Sequence, residues 1–599
     1  MKTESKKGDA LDKFLEFILT RNTGKYLLLI VLFGFILRLI MVRNVSFLGD
    51  EMIHGVQALN MLGSKLIGTA LESPTWYYLT NIFTSIFGVT IYGSRFTSLL
   101  YGTFNIFLVY LITSYLFNKK TGLISASFLA ISVFSIRYTL IEMDTTLTFF
   151  ILLSTYFLIR GTKENNLNFF YLSSATLGIG ALVKTIALFF APALFIYAFF
   201  GLDEKLKEKI KRILLYGLIL LVFISPLIFY NFLLYQDKGY TDLYVGQYLN
   251  INIDAQKQVI GEEYLNPFSV NEIFKNSWTQ IKNTFWGNDA PIFLLALAGI
   301  GLSLVYWRKK ENYFLLGMIL VGWFIQTGTN WLTTHYVPYS ALFAIYAGYG
   351  TLSLIDKIKI KNYKKYLPVA LLIIVLIINI FFVQSPLITH MKDSTGNKEL
   401  REYVINEIPE NTLVIADSRI YRGRIAWLLN DRIHIESGVL QKVLFDAHNQ
   451  EVSTKQYEVY FIECAIDDCG WGTIRNDELN RSTEQMIASL ASTGPPIKII
   501  PSGGGYNEPE DSTHFKVYHG QISLPVDIEH TLLDYSWLLQ PVRGKGSTYD
   551  RYAPQISKPS HKVSWFISYL ILWLSIILAL IAPIYVIYEL VKQKTFNRR

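Results

Sequence analysis

Residues 26–51 read YLLLIVLFGFILRLIMVRNVSFLGDE. From 26 to 42 the run is apolar except for Arg38, and Lys25 stands before it. Its length is close to the ~20 residues a helix needs to cross a bilayer. Two adjacent carboxylates, Asp50 and Glu51, follow shortly after its end. The arrangement delivers an acidic pair to one face of a membrane, and the rest of the chain is read outward from it.

The pattern recurs along the chain. Further runs without Asp, Glu, Lys or Arg occupy 96–118, 121–136, 145–159, 165–183, 185–202, 213–236, 290–307, 313–334, 336–355, 366–391 and 563–588. They predict a polytopic α-helical membrane protein of about 12 spans, the shorter ones extending into their loops or tilting. Composition agrees, with 51% hydrophobic, 15% aromatic and 17% charged residues and a mean hydropathy of +0.31. Soluble chains carry about 25% charged residues. The net charge of +8 has no Arg-rich face or RNA-binding motif behind it, so no nucleic-acid partner is expected. Its basic residues gather between spans at 119–120, 160–163, 205–212, 308–310, 357–365 and 592–599, with more at the N-terminus. By the positive-inside rule that side, with both termini, is cytoplasmic. Residues 1–21 lack the apolar core and cleavage site of a removable signal peptide.

The opposite side then carries the loops 43–95, 137–144, 237–289 and 392–562 and the turns at Lys184 and 333–335. Residues 72–87 combine aromatics with few charges and read as a helix in the membrane–water interface. Segment 392–562 reads as a soluble domain: helices at 398–408 and 482–490 alternate with strands at 412–416, 457–463, 497–500 and 515–519, an α/β layer pattern. The expected division is a membrane domain at 1–391, the α/β domain at 392–562, and a last span with its tail at 563–599. Cys464 and Cys469 are spaced either for a local disulfide in an oxidising exterior or as free thiols. Asn44 and Asn480 head glycosylation sequons on the outer side.

Sugar transfer to a hydroxyl requires a carboxylate to take the acceptor's proton and positive charge to stabilise a departing phosphate. The outer ends of the predicted spans supply both: Asp50 and Glu51, Glu142 and Asp144, Arg137, Lys184 and His335. Each has a plainer reading, as a solvated carboxylate, a snorkelling anchor or an interfacial hydrogen-bonding group. Their convergence on short outer turns distinguishes the set from a transporter, whose polar groups sit near mid-span.

The pieces Gly49-Asp50-Glu51, Glu72-Ser73-Pro74-Thr75-Trp76-Tyr77-Tyr78-Leu79, Ile86-Phe87-Gly88, Arg95-Phe96-Thr97-Ser98, Arg137-Tyr138, Met143-Asp144, Leu182-Val183-Lys184 and His335-Tyr336-Val337-Pro338 occur in that order. Together they resemble the protein O-mannosyltransferase and aminoarabinose-transferase branch of the GT-C glycosyltransferases. The resemblance implies a GT-C fold, a polyprenyl-phosphate-linked sugar as donor, and a protein, lipid or glycan hydroxyl as acceptor. It further implies Asp50 as catalytic base, with Glu51 and Asp144 orienting base or acceptor. Arg137, Lys184 and His335 would surround the lipid phosphate, while Glu72, Trp76, Tyr77, Glu142 and Tyr336 would touch donor or acceptor. Ser73 stands where the lipid A branch commonly has Lys, and the usual Pro-Pro pair is Pro74-Thr75, which weakens an aminoarabinose-to-lipid A role. Some relatives hold a metal near the positions of Glu72 and His335; two ligands do not make a site, so no metal is assigned and a divalent ion stays open. The expected setting is the plasma membrane of a prokaryote, with site and α/β domain facing out. A lipid or polysaccharide transporter and a non-catalytic glycan-binding protein are the rival readings.

Overall fold

The computed structural model describes residues 22–596 apart from 48, 60, 70–72, 253–267, 329–331, 358–365, 382–394, 421, 430–431, 450, 466–480, 482–483, 486–487, 489–493, 503–512 and 527–552. The chain divides into two units, one made of Met1–Arg43, Lys65–Leu387 and Pro554–Arg599, the other of Asn44–Ser64 and Ile388–Ala553. Asn44–Ser64, read above with the membrane domain, thus groups with the α/β segment.

The first unit is helical, and every apolar run read from the sequence falls on helix where it is described. Among the described residues six helices are long and apolar enough to cross a membrane: Thr23–Asn44, Ile91–Leu116, Asp144–Lys163, Leu206–Lys238, Glu272–Tyr306 and Pro559–Val591. Shorter apolar helices occupy Leu167–Val183, Thr185–Gly201 and Leu367–Asn379. The apolar window of Asp144–Lys163 is 100% buried and that of Leu206–Lys238 only 33%. The first is therefore central and the second peripheral. Large apolar side chains such as Leu218, Leu221, Ile228, Leu294, Leu297 and Leu320 point outward, while Arg38, Arg95, Asp144 and Lys184 are buried. This inside-out distribution is what a lipid solvent selects, and the protein is an integral membrane protein.

Proline positions obey the same constraint. Pro226 and Pro583 lie inside helices and cannot donate to the carbonyls four residues earlier. The freed carbonyl of Val222 accepts from the Ser225 hydroxyl at 2.8 Å, and that of Ala579 accepts from the Tyr101 hydroxyl at 2.9 Å. In hydrocarbon an unpaired carbonyl costs several kcal/mol, so these hydroxyls make the prolines tolerable.

One expectation is corrected. Residues 272–286 read as outer loop because Asp289 seemed to end the apolar run. Instead, helix Glu272–Gln280 continues through a π-helical turn, Ile281–Trp286, into helix Gly287–Tyr306. The interface helix is present as Pro74–Phe87, but Trp76, Tyr77 and Tyr78 are fully buried in protein.

The second unit holds a five-stranded sheet: β1 (Leu413–Ala416), β2 (His434–Glu436), β3 (Thr454–Cys464), β4 (Lys498–Pro501) and β5 (Thr513–Pro525), in the order β2-β1-β3-β5-β4. β1 runs parallel to β2 and β3, and β5 antiparallel to β3 and β4. Helices Thr395–Glu407, Arg422–Leu428 and Ser437–Asn449 accompany it. Its core includes Ile415, Ile435, Leu440, Val459, Phe461 and Leu524. Cys464, at the end of β3, is disulfide-bonded; the chain's other cysteine, Cys469, and Asn480 lie outside the described residues, and the described residues of the predicted helix at 482–490, namely 484, 485 and 488, are helical.

Helices Gly287–Tyr306 and Val337–Lys357 cross at glycines. A Cβ on Gly299 would stand 2.0 Å from the Tyr346 carbonyl oxygen, and one on Gly350 2.7 Å from that of Leu295. Backbone cannot give way as a side chain does. Gly299→Leu should therefore destabilise the protein by about 1–3 kcal/mol, the usual cost of overpacking. A melting point in detergent equal to the parent's would show that this crossing is not tight.

Candidate active site

Helix Asp144–Lys163 opens on Asp144, and Lys184 closes helix Leu167–Val183, which returns alongside it. Between them Asn165 takes a left-handed φ of 48°, a conformation asparagine tolerates. Lys184 Nζ donates to Asp144 Oδ2 at 2.8 Å, with side-chain exposures of 2% and 0%. Each helix also favours the charge it carries, since N-termini attract carboxylates and C-termini attract cations. Asp144 Oδ1 is buried and has no hydrogen-bond partner among the described residues. The sequence assigned Asp144 and Lys184 separate roles, and the fold joins them directly.

Four further contacts radiate from this pair. The Thr185 and Ser73 hydroxyls lie 3.0 Å apart, tying the start of helix Pro74–Phe87 to the residue after Lys184. Thr145 Oγ1 donates to the Tyr138 carbonyl at 2.8 Å, and Asn105 Nδ2 donates to the Thr145 carbonyl at 3.0 Å. Ser98 Oγ donates to the Glu142 carbonyl at 2.7 Å. The turn between Arg137 and Asp144 is thereby fixed on helices Ile91–Leu116 and Asp144–Lys163. Glu142 is itself buried, and Glu72 lies outside the described residues.

Arg137 ends a five-residue helix, Val133–Arg137. It is half-buried, lies 5.8 Å from the Tyr138 ring, and makes no hydrogen bond or ion pair among the described residues; its Nε is buried without a partner. The helix is pinned from two directions. Asp289 accepts from Ser132 Oγ at 2.5 Å, from the Val133 amide at 2.8 Å and from the Phe134 amide at 3.3 Å. Arg38 donates to Ser135 Oγ at 2.8 Å, and also to the carbonyls of Gly34, Leu129 and Ala130.

His335 and Tyr336 lie in a short 3₁₀ helix, Thr333–Tyr336, and are buried. His335 Nε2 lies 3.5 Å from the Tyr244 hydroxyl, and Tyr336 packs edge-on against Trp323 at 4.9 Å. Tyr244 belongs to helix Leu243–Leu249, whose N-cap is Asp242. Asp242 accepts from the Val245 amide at 2.8 Å and from Asn231 Nδ2 at 2.5 Å, and its own amide donates to Asn231 Oδ1 at 2.7 Å. Burial pushes the Asp242 carboxyl up to about 6, against the pull of those hydrogen bonds.

Asp50 and Glu51 belong to the second unit, near the start of helix Gly49–Leu59. The side chain of Asp50 lies outside the described residues, whereas Glu51 is fully buried. The helix packs on Trp427: a Cβ on Gly55 would stand 2.7 Å from that indole, and Phe47 meets it edge-on at 5.5 Å. Asn397 Nδ2 donates to the Phe47 carbonyl at 3.0 Å, and Ser46 Oγ accepts from the Lys398 amide at 3.1 Å. Among the described residues no three His, Cys, Asp or Glu side chains cluster at ligand spacing.

Asp242, Asp289 and Trp427 were not singled out from the sequence. A signal existed for the two carboxylates: Asp242 precedes a short apolar helix as an N-cap residue should, and Asp289 stands two residues before Pro291 in an apolar run. Nothing in the sequence linked Trp427 to Gly55.

Comparison with known proteins bears out the resemblance to GT-C glycosyltransferases. Residues 72–230 match the dolichyl-phosphate-mannose-protein mannosyltransferase family, a stretch that contains Arg137, Asp144 and Lys184. No curated protein matches the sequence. In fold the chain is similar to ArnT from Cupriavidus metallidurans in the apo state, with a TM-score of 0.51, 10% identity, and coverage of 83% of this chain and 98% of that one. The same protein bound to undecaprenyl phosphate gives 0.49 at 10% identity, with the same coverage of 83% and 98%. The Archaeoglobus fulgidus oligosaccharyltransferase in complex with Zn and sulfate gives 0.46 at 13% identity, over 73% of this chain and 67% of that one. The architecture is thus a GT-C fold with a separate α/β unit.

Two predictions follow from the geometry. Lys184→Met leaves Asp144 charged and unpaired in a buried place and should destabilise by about 3–5 kcal/mol, whereas Asp144→Leu combined with Lys184→Met should melt near the parent. A single variant as stable as the parent in detergent would show that the pair does not hold the helix ends. The second concerns Asp242. Burial holds its folded carboxyl protonated up to about 6, against the ordinary 3.8. The folded state therefore binds more protons between those limits, and this group's contribution to stability falls as pH rises through them. Asp242→Asn should flatten that slope. A variant-minus-parent difference in melting point that stays constant from about pH 4 to pH 7 would refute it.

Proposed function

We propose that this protein transfers a sugar from a polyprenyl-phosphate donor to an acceptor hydroxyl at the outer face of the membrane. The observation that carries the reading is Arg137. Among the described residues its guanidinium makes no hydrogen bond or ion pair; it precedes the turn that Thr145 ties to the Asp144–Lys184 pair, inside the stretch that matches the mannosyltransferase family. A half-buried cation without a protein counter-charge favours an anionic ligand, and a guanidinium suits a phosphate. The family's description supplies the class of that phosphate, a dolichyl phosphate sugar. ArnT, whose fold this chain shares, binds undecaprenyl phosphate. The basic residues of the opposite loops support the sidedness.

In this reading the acceptor oxygen bonds to the anomeric carbon as the bond to the donor phosphate breaks, inverting the configuration. Asp50 takes the acceptor proton as the new bond forms. The polyprenyl phosphate leaves with its charge stabilised by Arg137, Lys184 and His335. Glu51, buried in the same helix, orients rather than reacts. Lys184 acts through Asp144, which frees or withholds its charge.

The test is single-turnover transfer by the purified protein, using a panel of polyprenyl-phosphate sugars. Asp50→Asn removes basicity while keeping size, so turnover should fall ~10²–10⁴-fold with donor binding little changed. Turnover near the parent's in a folded Asp50→Asn variant would remove Asp50 as the base. Label transfer from none of the donors would remove the proposed function.

A further inference from the structure

We propose that Asp289 is a positioning residue for the donor phosphate, acting through Arg137; this rests on the reading of Arg137 given above. The chain makes an unusual local effort to bring this carboxylate to its place. A π-helical turn, Ile281–Trp286, precedes it, and π-bulges concentrate at functional sites. Asp289 itself leaves helical geometry, at φ −135° and ψ 36°, within what is otherwise a continuous helix. Two residues later Pro291 lacks the amide that a regular turn would use.

The kink turns the Asp289 carboxylate onto the start of Val133–Arg137, where it accepts from one hydroxyl and two amides. These amides belong to the first turn of that helix and have no partner within it. Ser132 is bound twice over, since its hydroxyl also accepts from the Ser135 amide at 3.1 Å. Phe134 is held between Phe285 of the π-turn, at 5.6 Å, and Tyr138, at 5.1 Å.

A helix of five residues is far too short to hold itself together in isolation. Its orientation is set by what grips its ends, and Asp289 grips the first turn. Arg137 stands in the last turn, where its guanidinium lies 5.8 Å from the Tyr138 ring and makes no hydrogen bond or ion pair among the described residues. The direction in which the guanidinium is presented therefore depends on a carboxylate that never touches the donor. A side chain kept only to satisfy a helix cap would not require a second helix to be broken around it.

The experiment is a double-mutant cycle on donor use, with every variant checked for folding in detergent. Asp289→Asn should raise the donor KM about ten- to a hundredfold, the size of one charge-assisted hydrogen bond, with a smaller change in kcat. In an Arg137→Ala background the same substitution should add almost nothing, because both act on one contact. Equal factors in the two backgrounds would mean that Asp289 is only structural. An unchanged donor KM in folded Asp289→Asn would overturn the proposal too. If Arg137→Ala alone leaves donor use intact, the phosphate-site reading fails first, and this inference with it. Should Asp289→Asn not fold, Ser132→Ala removes one of the three hydrogen bonds and must show the same dependence on Arg137.

Discussion

The buried ion pair between Lys184 and Asp144 is the contact on which one end of the helical unit depends. Two returning helices end at one level with opposite partial charges, and each terminus carries the side chain that suits it. Removing either partner strands a charge in a low-dielectric interior, at a cost far above that of an ordinary surface pair. From this pair the structure spreads outward through short-range contacts. Thr185 reaches Ser73 and so the aromatic helix Pro74–Phe87. Thr145 reaches Tyr138 and so the turn that follows Arg137. A displacement of the pair would be felt at every element that carries a candidate site residue in this unit.

The other end of helix Asp144–Lys163 is built on the same logic with different residues. Arg160 pairs with Glu164 and, through NH1, with Glu589 of the C-terminal helix. Tyr156 and Tyr585 both donate to Glu589, at 3.1 and 2.7 Å. Lys163 approaches Glu311 at 3.8 Å, and Tyr115 donates to Glu164 at 3.1 Å. These residues come from loops and helix ends that the charge pattern groups on one side. At about 1.5 Å per residue, this helix separates the two polar clusters by about 30 Å, the thickness of a hydrocarbon core. Between them the chain satisfies its own backbone, as the hydroxyls of Ser225 and Tyr101 do for carbonyls freed by proline.

The helices were legible because their driving force is written locally. A bilayer span is a run of apolar residues, and no distant partner is needed to recognise it. Strands β1, β3, β4 and β5 were legible in part for the same reason, since each includes a short run of apolar, β-branched or aromatic residues that can be read within one window. β2, at three residues, is too short to carry any period, and it exists because β1 offers it an edge. Residues 272–286 misled for a related reason. A charge in an apolar run normally ends a span, but Asp289 is paid for by a partner 157 positions away in the sequence. Long-range pairing of that kind leaves no mark within any one window. Arg137, Asp144, Lys184 and His335 could be named as candidates from their positions, yet which of them meet could not. The union of Asp144 with Lys184, and the lack of an ion-pair partner for Arg137 among the described residues, are facts of packing.

The grouping of Asn44–Ser64 with the α/β unit changes how that unit must be understood. Read from sequence, the α/β segment at 392–562 was a soluble domain separate from a membrane domain at 1–391. The contacts point elsewhere. Gly55 has no room for a side chain because Trp427 lies against it. Asn397 and the Lys398 amide grip Phe47 and Ser46, only a few residues before Asp50. The helix that bears Asp50 and Glu51 therefore takes its support from residues more than 300 positions later in the chain, and an isolated helix of 11 residues would not hold its shape without such support. If Asp50 is the base, its placement is a property of the α/β unit. A change in that unit's packing would then alter turnover without touching the helices that carry Arg137, Asp144 and Lys184.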